Sequence, residues 1–230
     1  MKTIAPNVDC PVSPIRWIGA CRLVASRYPT VGLFDRVTSP ADLAAIIELE
    51  IWTNDRVSAE LGVLATIPRD EWVTGEPMAS VVMAAFCHPH PDGGRFSDST
   101  RGAWYAARTL DTALAESIYR RTQELVEIGA LDTRVEMRLY RADFRATFHD
   151  VRATKPSLAP LYHPASYAAS QPFARRLLES GSNGVVYRSV RHPGGQCLSC
   201  FRPRLVRHVW TAGHFEYRWQ GSPTPQVREL

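Results

Sequence analysis

Gly93-Gly94-Arg95-Phe96-Ser97-Asp98 separates the continuous apolar run Ala79 to Phe86 from the short apolar stretch Ala103 to Ala107. Paired glycines reach positive φ and close backbone approaches that side chains forbid. The preceding Pro89-His90-Pro91-Asp92 adds further turn signals. The chain therefore has to turn here, and the arginine is presented where two buried elements meet. Tyr105 follows seven residues after Asp98, and Glu116 eleven residues after that.

The elements around this turn are mixed. Residues 1 to about 30 are punctuated by proline and carry short apolar patches such as Ile15-Arg16-Trp17-Ile18, which suggests an irregular arm or a short helix. Gly32 to Val37 reads as a short strand. Ser39 and Pro40 then suit the N-cap and first position of a helix continued by Leu43, Ile46, Ile47 and Ile51. The run Ala79 to Phe86 is expected to be a buried strand, and Ala103 to Ala107 the next one. Thr109 or Asp111 can cap a helix from about Thr112 to Glu127, with Leu110, Leu114, Ile118 and Leu125 as its apolar stripe. Arg134 to Tyr140 alternates in the strand manner, and a short strand is expected at Thr147 to Val151. Tyr167 to Ser180 reads as a helix closed by Gly181. Gly184 to Tyr187, Cys197 to Phe201 and His208 to Trp219 read as late strands. Strand clusters with separate helices indicate an α+β fold, not a doubly wound sheet.

Composition narrows the function. At 230 residues and 45% hydrophobic, the chain can bury the core of one ordinary domain. No apolar run reaches the roughly 18 residues of a membrane span. Met1 to Cys10 contains no apolar segment of signal-peptide type, so a cytoplasmic protein is expected. Five irregularly spaced cysteines fit a reducing compartment. The formal charge of +4 is mild. Lys2 and Lys155 are the only lysines, a bias that fits either phosphate recognition by arginine or a GC-rich genome. The positive charges form no stripe with interleaved aromatics, which argues against direct nucleic-acid binding.

Each candidate for chemistry has a plainer alternative. Arg95 could fork onto a diphosphate, or sit solvated on an ordinary hairpin turn. Glu116 falls away from the apolar stripe of its helix. There it could stabilise an oxocarbenium-like transition state beside a ribose, or remain a solvated carboxylate. Tyr105 could stack on a flat ring, or serve as a half-buried core residue. Ser189 lacks a Gly-x-Ser-x-Gly elbow and suits a hydroxyl donor better than a hydrolase nucleophile. Cys197-Leu198-Ser199-Cys200 has the spacing of half a zinc ribbon, with Cys87, His88 and His90 as further donors. No second C-x-x-C exists, and no metal is expected.

Taken together, these pieces resemble the RES domain family over about residues 22 to 206. The resemblance rests on an arginine in a first strand, Phe34-Asp35-Arg36-Val37, with Arg27 of Ser26-Arg27-Tyr28-Pro29 as its rival. It continues through Gly93-Gly94-Arg95-Phe96, Tyr105-Ala106-Ala107, Thr112-Ala113-Leu114-Ala115-Glu116 and Val186-Tyr187-Arg188-Ser189-Val190-Arg191. Many members carry Trp-Asn after the turn arginine, where this chain has Phe96-Ser97. The resemblance implies an N-terminal arm at 1–21, the RES domain at 22–206, and a C-terminal strand or tail at 207–230 packed on it. It implies an ADP-ribosyltransferase-like fold, a split mixed β core with flanking helices. It further implies an NAD-degrading toxin of a toxin–antitoxin pair, acting by hydrolysis or phosphorolysis. The alternatives are an ADP-ribosyltransferase that modifies a protein and a non-catalytic regulatory module. NAD would be the substrate, held by Arg36, Arg95, Tyr105, Phe96 and Ser189. Glu116, Arg95 and Ser189 would serve catalysis. The implied partner is an Xre-like antitoxin, with no membrane, and a homodimer is compatible with this picture.

Overall fold

The computed structural model describes residues 10–26, residue 35 and residues 63–230. Seven strands form one mixed sheet: β1 (Val12–Ala25), β2 (Trp104–Ala107), β3 (Asp132–Asp150), β4 (Gly184–Arg188), β5 (Gln196–Cys200), β6 (Arg207–Gln220) and β7 (Gln226–Glu229). Among the described residues, three α-helices flank it: α1 (Ala79–Cys87), α2 (Leu110–Glu127) and α3 (Ser170–Glu179). The fold is thus α+β, as expected. The strand order is β1-β2-β5-β4-β3-β6-β7, and β1 also pairs with β3, so five strands close on themselves. Closure is narrow at two seams. β1 meets β2 at the single pair Cys21↔Ala107, and β3 meets β4 in parallel only at His149↔Val185 and Asp150↔Val186. The sheet is therefore split into β1-β3-β6-β7 and β2-β5-β4, hinged along β3.

Two buried clusters fill the interior. One gathers α1 with Trp17, Trp104, Phe144, Phe148, Leu198 and Cys200. The other gathers Phe96, Phe173, Tyr187, Cys197, Tyr217 and Trp219, with the stripe Leu110, Leu114, Ile118 and Leu125 of α2 packed against it. β4 and β5 lie between the two and bury residues on both faces, which explains their unbroken apolar character. β3 changes the face it buries. Met137 and Leu139 enter the second cluster, whereas Tyr140, Ala142, Phe144 and Phe148 enter the first. The phase changes where β3 slips register against β6, between Leu139 and Tyr140. The two strands expected at 134–140 and 147–151 are accordingly one continuous strand.

Three other expectations change. Ala79–Cys87 is a helix, not a strand. Seven of its nine residues are buried, so it has no polar face, and an apolar run this short does not reveal its period. Val12–Ala25 is a long strand, not an arm or a short helix. Ile15 and Trp17 point inward and Arg16 and Ile18 outward, an alternation obscured in the sequence by Pro11 and Pro14. β1 also runs across the expected boundary at residue 21. The strand expected at Gly32 to Val37 and the helix after Ser39 lie outside the described residues, apart from Asp35. Its carboxylate accepts the Ser80 amide at 2.9 Å, at the start of α1.

α2 begins where the sequence places it. Thr109 is the N-cap, and its hydroxyl accepts the Thr112 amide. Gly184 opens β4 at φ 136°, and a Cβ there would overlap the carbonyl oxygen of Ser199 on β5. Gly184→Ala should therefore destabilise the fold by about 3 kcal/mol, the scale of a forced backbone at a non-glycine residue. Chemical denaturation checks this, and an unchanged midpoint would contradict the tight β4–β5 junction.

Candidate active site

The glycine turn is built for close approach. Gly93 has φ 68°, and a Cβ on it would overlap the Ser97 carbonyl. A Cβ on Gly94 would lie 2.6 Å from the Tyr105 hydroxyl. That hydroxyl accepts the Phe96 amide at 2.9 Å and shares a hydrogen bond with Ser97 Oγ at 2.9 Å. Tyr105 thus fastens the turn from β2. Burial pushes its phenol up, against the opposing bonds from Ser97 and Phe96.

The turn aims Arg95 inward, to 7% exposure. Its Nη1 donates to the carbonyls of Leu161 at 2.9 Å and His163 at 3.0 Å, and the guanidinium stands 5.1 Å from the centre of the Tyr167 ring. A solvated hairpin arginine is therefore not what the chain makes here. Phe96, expected among the binding residues, is 1% exposed and packs edge-on against Tyr187 and Phe173. It is placed in the core behind the turn.

Glu116 and Ser189, 73 residues apart in sequence, meet directly. Ser189 Oγ donates to Glu116 Oε1 at 2.6 Å, a charge-assisted length. The same Oγ accepts the amides of Arg191 at 3.1 Å and His192 at 2.9 Å. A serine hydroxyl has one proton and two lone pairs. Both lone pairs are occupied by loop amides, so the proton is directed at the carboxylate. Cys197 Sγ lies 4.0 Å from the same oxygen. A depression of about 290 Å³ opens beside Ser189, lined by Tyr162, Arg188, Val190, Pro193 and Gly194 as well. Arg188 lies over the Tyr162 ring at 4.8 Å. A smaller cavity of about 50 Å³, lined in part by Ser97, Asp98 and Arg175, does not include Glu116 or Ser189. Of the expected site residues, the larger depression is lined by Ser189 and the smaller cavity by Phe96.

Tyr187 joins the two halves. Its phenol is held well above the ordinary value by burial first, then by Cys197, Glu116 and Tyr105, while Arg95 opposes the shift. Arg95, Tyr105 and Glu116, three of the expected site residues, thus all influence the charge state of this buried phenol. Arg36 and its rival Arg27 lie outside the described residues.

Sequence reasoning missed Arg22 on β1. Its Nη1 donates to the Tyr105 carbonyl at 3.2 Å, and its guanidinium stacks over the Trp104 ring at 4.8 Å. Burial lowers its pKa to about 10, and the groups opposing that shift are the tyrosines 105 and 140, not carboxylates. The signal was present in the sequence, as an arginine flanked by Cys21 and Leu23. Reading that segment as an irregular arm concealed it. The contact between Thr112 and His192 was missed too, because only the folded chain joins residues 80 positions apart.

The C-x-x-C pair does not act as one chelating unit. Cys197 and Cys200 lie on β5 three residues apart, so their thiols enter opposite buried clusters. Among the described residues, no group of three metal-type donors converges. Burial pushes the Cys200 thiol up to about 12, and burial followed by Glu116 raises Cys197 further. Both should be alkylated at pH 8 roughly a thousandfold more slowly in the folded protein than in denaturant, because so little thiolate is present. Peptide mapping after timed labelling measures this. Rapid labelling of Cys200 in the folded chain would refute its placement.

The chain belongs to the RES domain family, whose profile it matches over residues 64–220. It is 27% identical over 206 residues to the uncharacterised protein y4oC of Sinorhizobium fredii (strain NBRC 101917 / NGR234), covering 87% of this chain and 83% of that one. Among solved structures it is similar to a chain of the crystal structure of the M. tuberculosis MbcT-MbcA toxin-antitoxin complex. That likeness has a TM-score of 0.46 and 13% identity, and covers 86% of each chain.

Proposed function

We propose that this chain is the NAD-consuming toxin of a toxin–antitoxin pair. In this reading it cleaves the bond between nicotinamide and ribose on an ADP-ribosyltransferase-like scaffold. The observation that carries the reading is the Ser189–Glu116 hydrogen bond, in a chain of the RES domain family. A carboxylate fixed at one oxygen leaves its other oxygen free for a ribose hydroxyl. As the glycosidic bond breaks, its electron pair departs with nicotinamide, which leaves as a neutral base. Positive charge develops on the ribose, and Glu116 would stabilise it. Water then closes on the ribose carbon with loss of a proton, giving hydrolysis, or a phosphate oxygen does so, giving phosphorolysis.

This reading gives the remaining residues their roles. Arg95 has Nη1 tied to backbone carbonyls, so the other edge of its fork would face the diphosphate. Arg22, with Arg36 or Arg27, would supply further positive charge. Tyr105 holds the turn that aims Arg95, and Phe96 backs that turn from the core. Ser189 orients Glu116. Orientation and charge stabilisation suffice for a neutral leaving group, so the reaction as written calls on no metal. The partner this reading implies is an Xre-like antitoxin that covers the cleft.

Nicotinamide release from NAD by the purified full chain tests this, with and without phosphate. Glu116→Gln should lower the rate by about a hundredfold, the scale of losing one transition-state contact, without unfolding the protein. Ser189→Ala should lower it by about tenfold. A folded Glu116→Gln variant with unaltered release, or no release by the wild-type chain in either buffer, overturns the proposal.

A further inference from the structure

α2 presents Thr112, Glu116 and Tyr119 at helical spacings of four and three, so the three lie along one stripe. Each meets the loop between β4 and β5. Thr112 Oγ1 is 2.8 Å from His192 Nδ1, Glu116 accepts from Ser189, and the Tyr119 ring lies 3.3 Å beneath the Arg191 guanidinium. The loop closes on itself as well. Ser189 donates its amide to the Gly195 carbonyl, and Gly195 donates its amide to the His192 carbonyl, each at 2.9 Å. Gly195 lets this ring settle onto the helix, since a Cβ there would lie 2.7 Å from Thr112 Oγ1.

We propose that Thr112 and His192 are positioning residues that set the Ser189–Glu116 contact, an inference that rests on the NAD-cleaving reading above. Two helix residues one turn apart hold two loop residues three apart. The circuit runs from Thr112 through the His192 ring, along its amide to Ser189 Oγ at 2.9 Å, and back to Glu116. Thr112 is fully buried, and its hydroxyl is also shared with Thr109 Oγ1 at 2.9 Å, so it has little freedom to turn away. A hydroxyl can donate or accept, so the contact is available to either imidazole tautomer. With the circuit broken, the loop would drift relative to α2, and the bonds from the Arg191 and His192 amides to Ser189 Oγ would open more often. The carboxylate would then lose its fixed direction.

The test compares Thr112→Val, which keeps the shape and removes the hydroxyl, with Thr112→Ser, which keeps the hydroxyl, and with His192→Ala from the loop side. Two readouts are taken on the full chain. In nicotinamide release, Thr112→Val and His192→Ala should lower kcat about tenfold with KM for NAD nearly unchanged. Thr112→Ser should restore it, and the double variant should be no worse than either single one. In amide hydrogen exchange without NAD, the Arg191 and His192 amides should exchange about tenfold faster in Thr112→Val and stay protected in Thr112→Ser. A change in only one readout, or in neither, overturns the proposal. If the wild-type chain does not cleave NAD, the activity reading fails separately. Exchange then decides alone, with faster exchange in Thr112→Val sustaining the coupling and unaltered exchange overturning it.

Discussion

β3 carries the architecture. It pairs with β1 along one edge, and with β6 and then β4 along the other, and it contributes side chains to both buried clusters. A strand that buries one face first and the other later has to change phase, and β3 does so where its register with β6 slips. The split sheet follows from that single adjustment. β6 and β7 extend the first half of β3, while β4 joins its far end and brings β5 and β2 with it. β4 and β5 also bury residues on both faces, but β3 is the strand that pairs with both half-sheets, so their relative placement depends on it.

The candidate site hangs from the second half-sheet and from α2. Arg95 and Tyr105 arrive on the turn and strand that precede α2, and Ser189 arrives on the loop after β4. Neither group is held by local structure alone. The Tyr105 hydroxyl ties the turn to β2, the Leu161 and His163 carbonyls tie Arg95 to the segment before α3, and α2 ties the loop after β4. Rigid elements thus position side chains that lie on turns and loops, an arrangement suited to holding a ligand without rearrangement.

Legibility in the sequence varied with the kind of signal. α2 was readable because its stripe, its threonine cap and its length agree, and the same holds for α3 with Gly181 at φ 85° closing it. α1 was misread because a helix buried on nearly every side shows no period. β1 was misread because two prolines interrupt an alternation that the pairing with β3 nonetheless sustains. The site was partly legible. Arg95, Tyr105, Glu116 and Ser189 were all recognisable as candidates from their settings. Phe96 was expected on the ligand side, yet its ring turns into the core, since alternate residues after a turn face opposite ways and the neighbouring Arg95 takes the inner polar position.

The residue types and their order, taken alone, established an α+β chain of the RES kind with an arginine turn, a carboxylate on the next helix and a late serine. Local propensities and turn chemistry act over a few residues, so they can be read without the fold. Only the tertiary structure decided that Ser189 donates to Glu116, that Arg22 stands beside Tyr105, and that Thr112 grips His192. Each of these pairings depends on strand register or loop closure across tens of residues, and a one-residue slip in a strand would reverse the face on which its side chain lies.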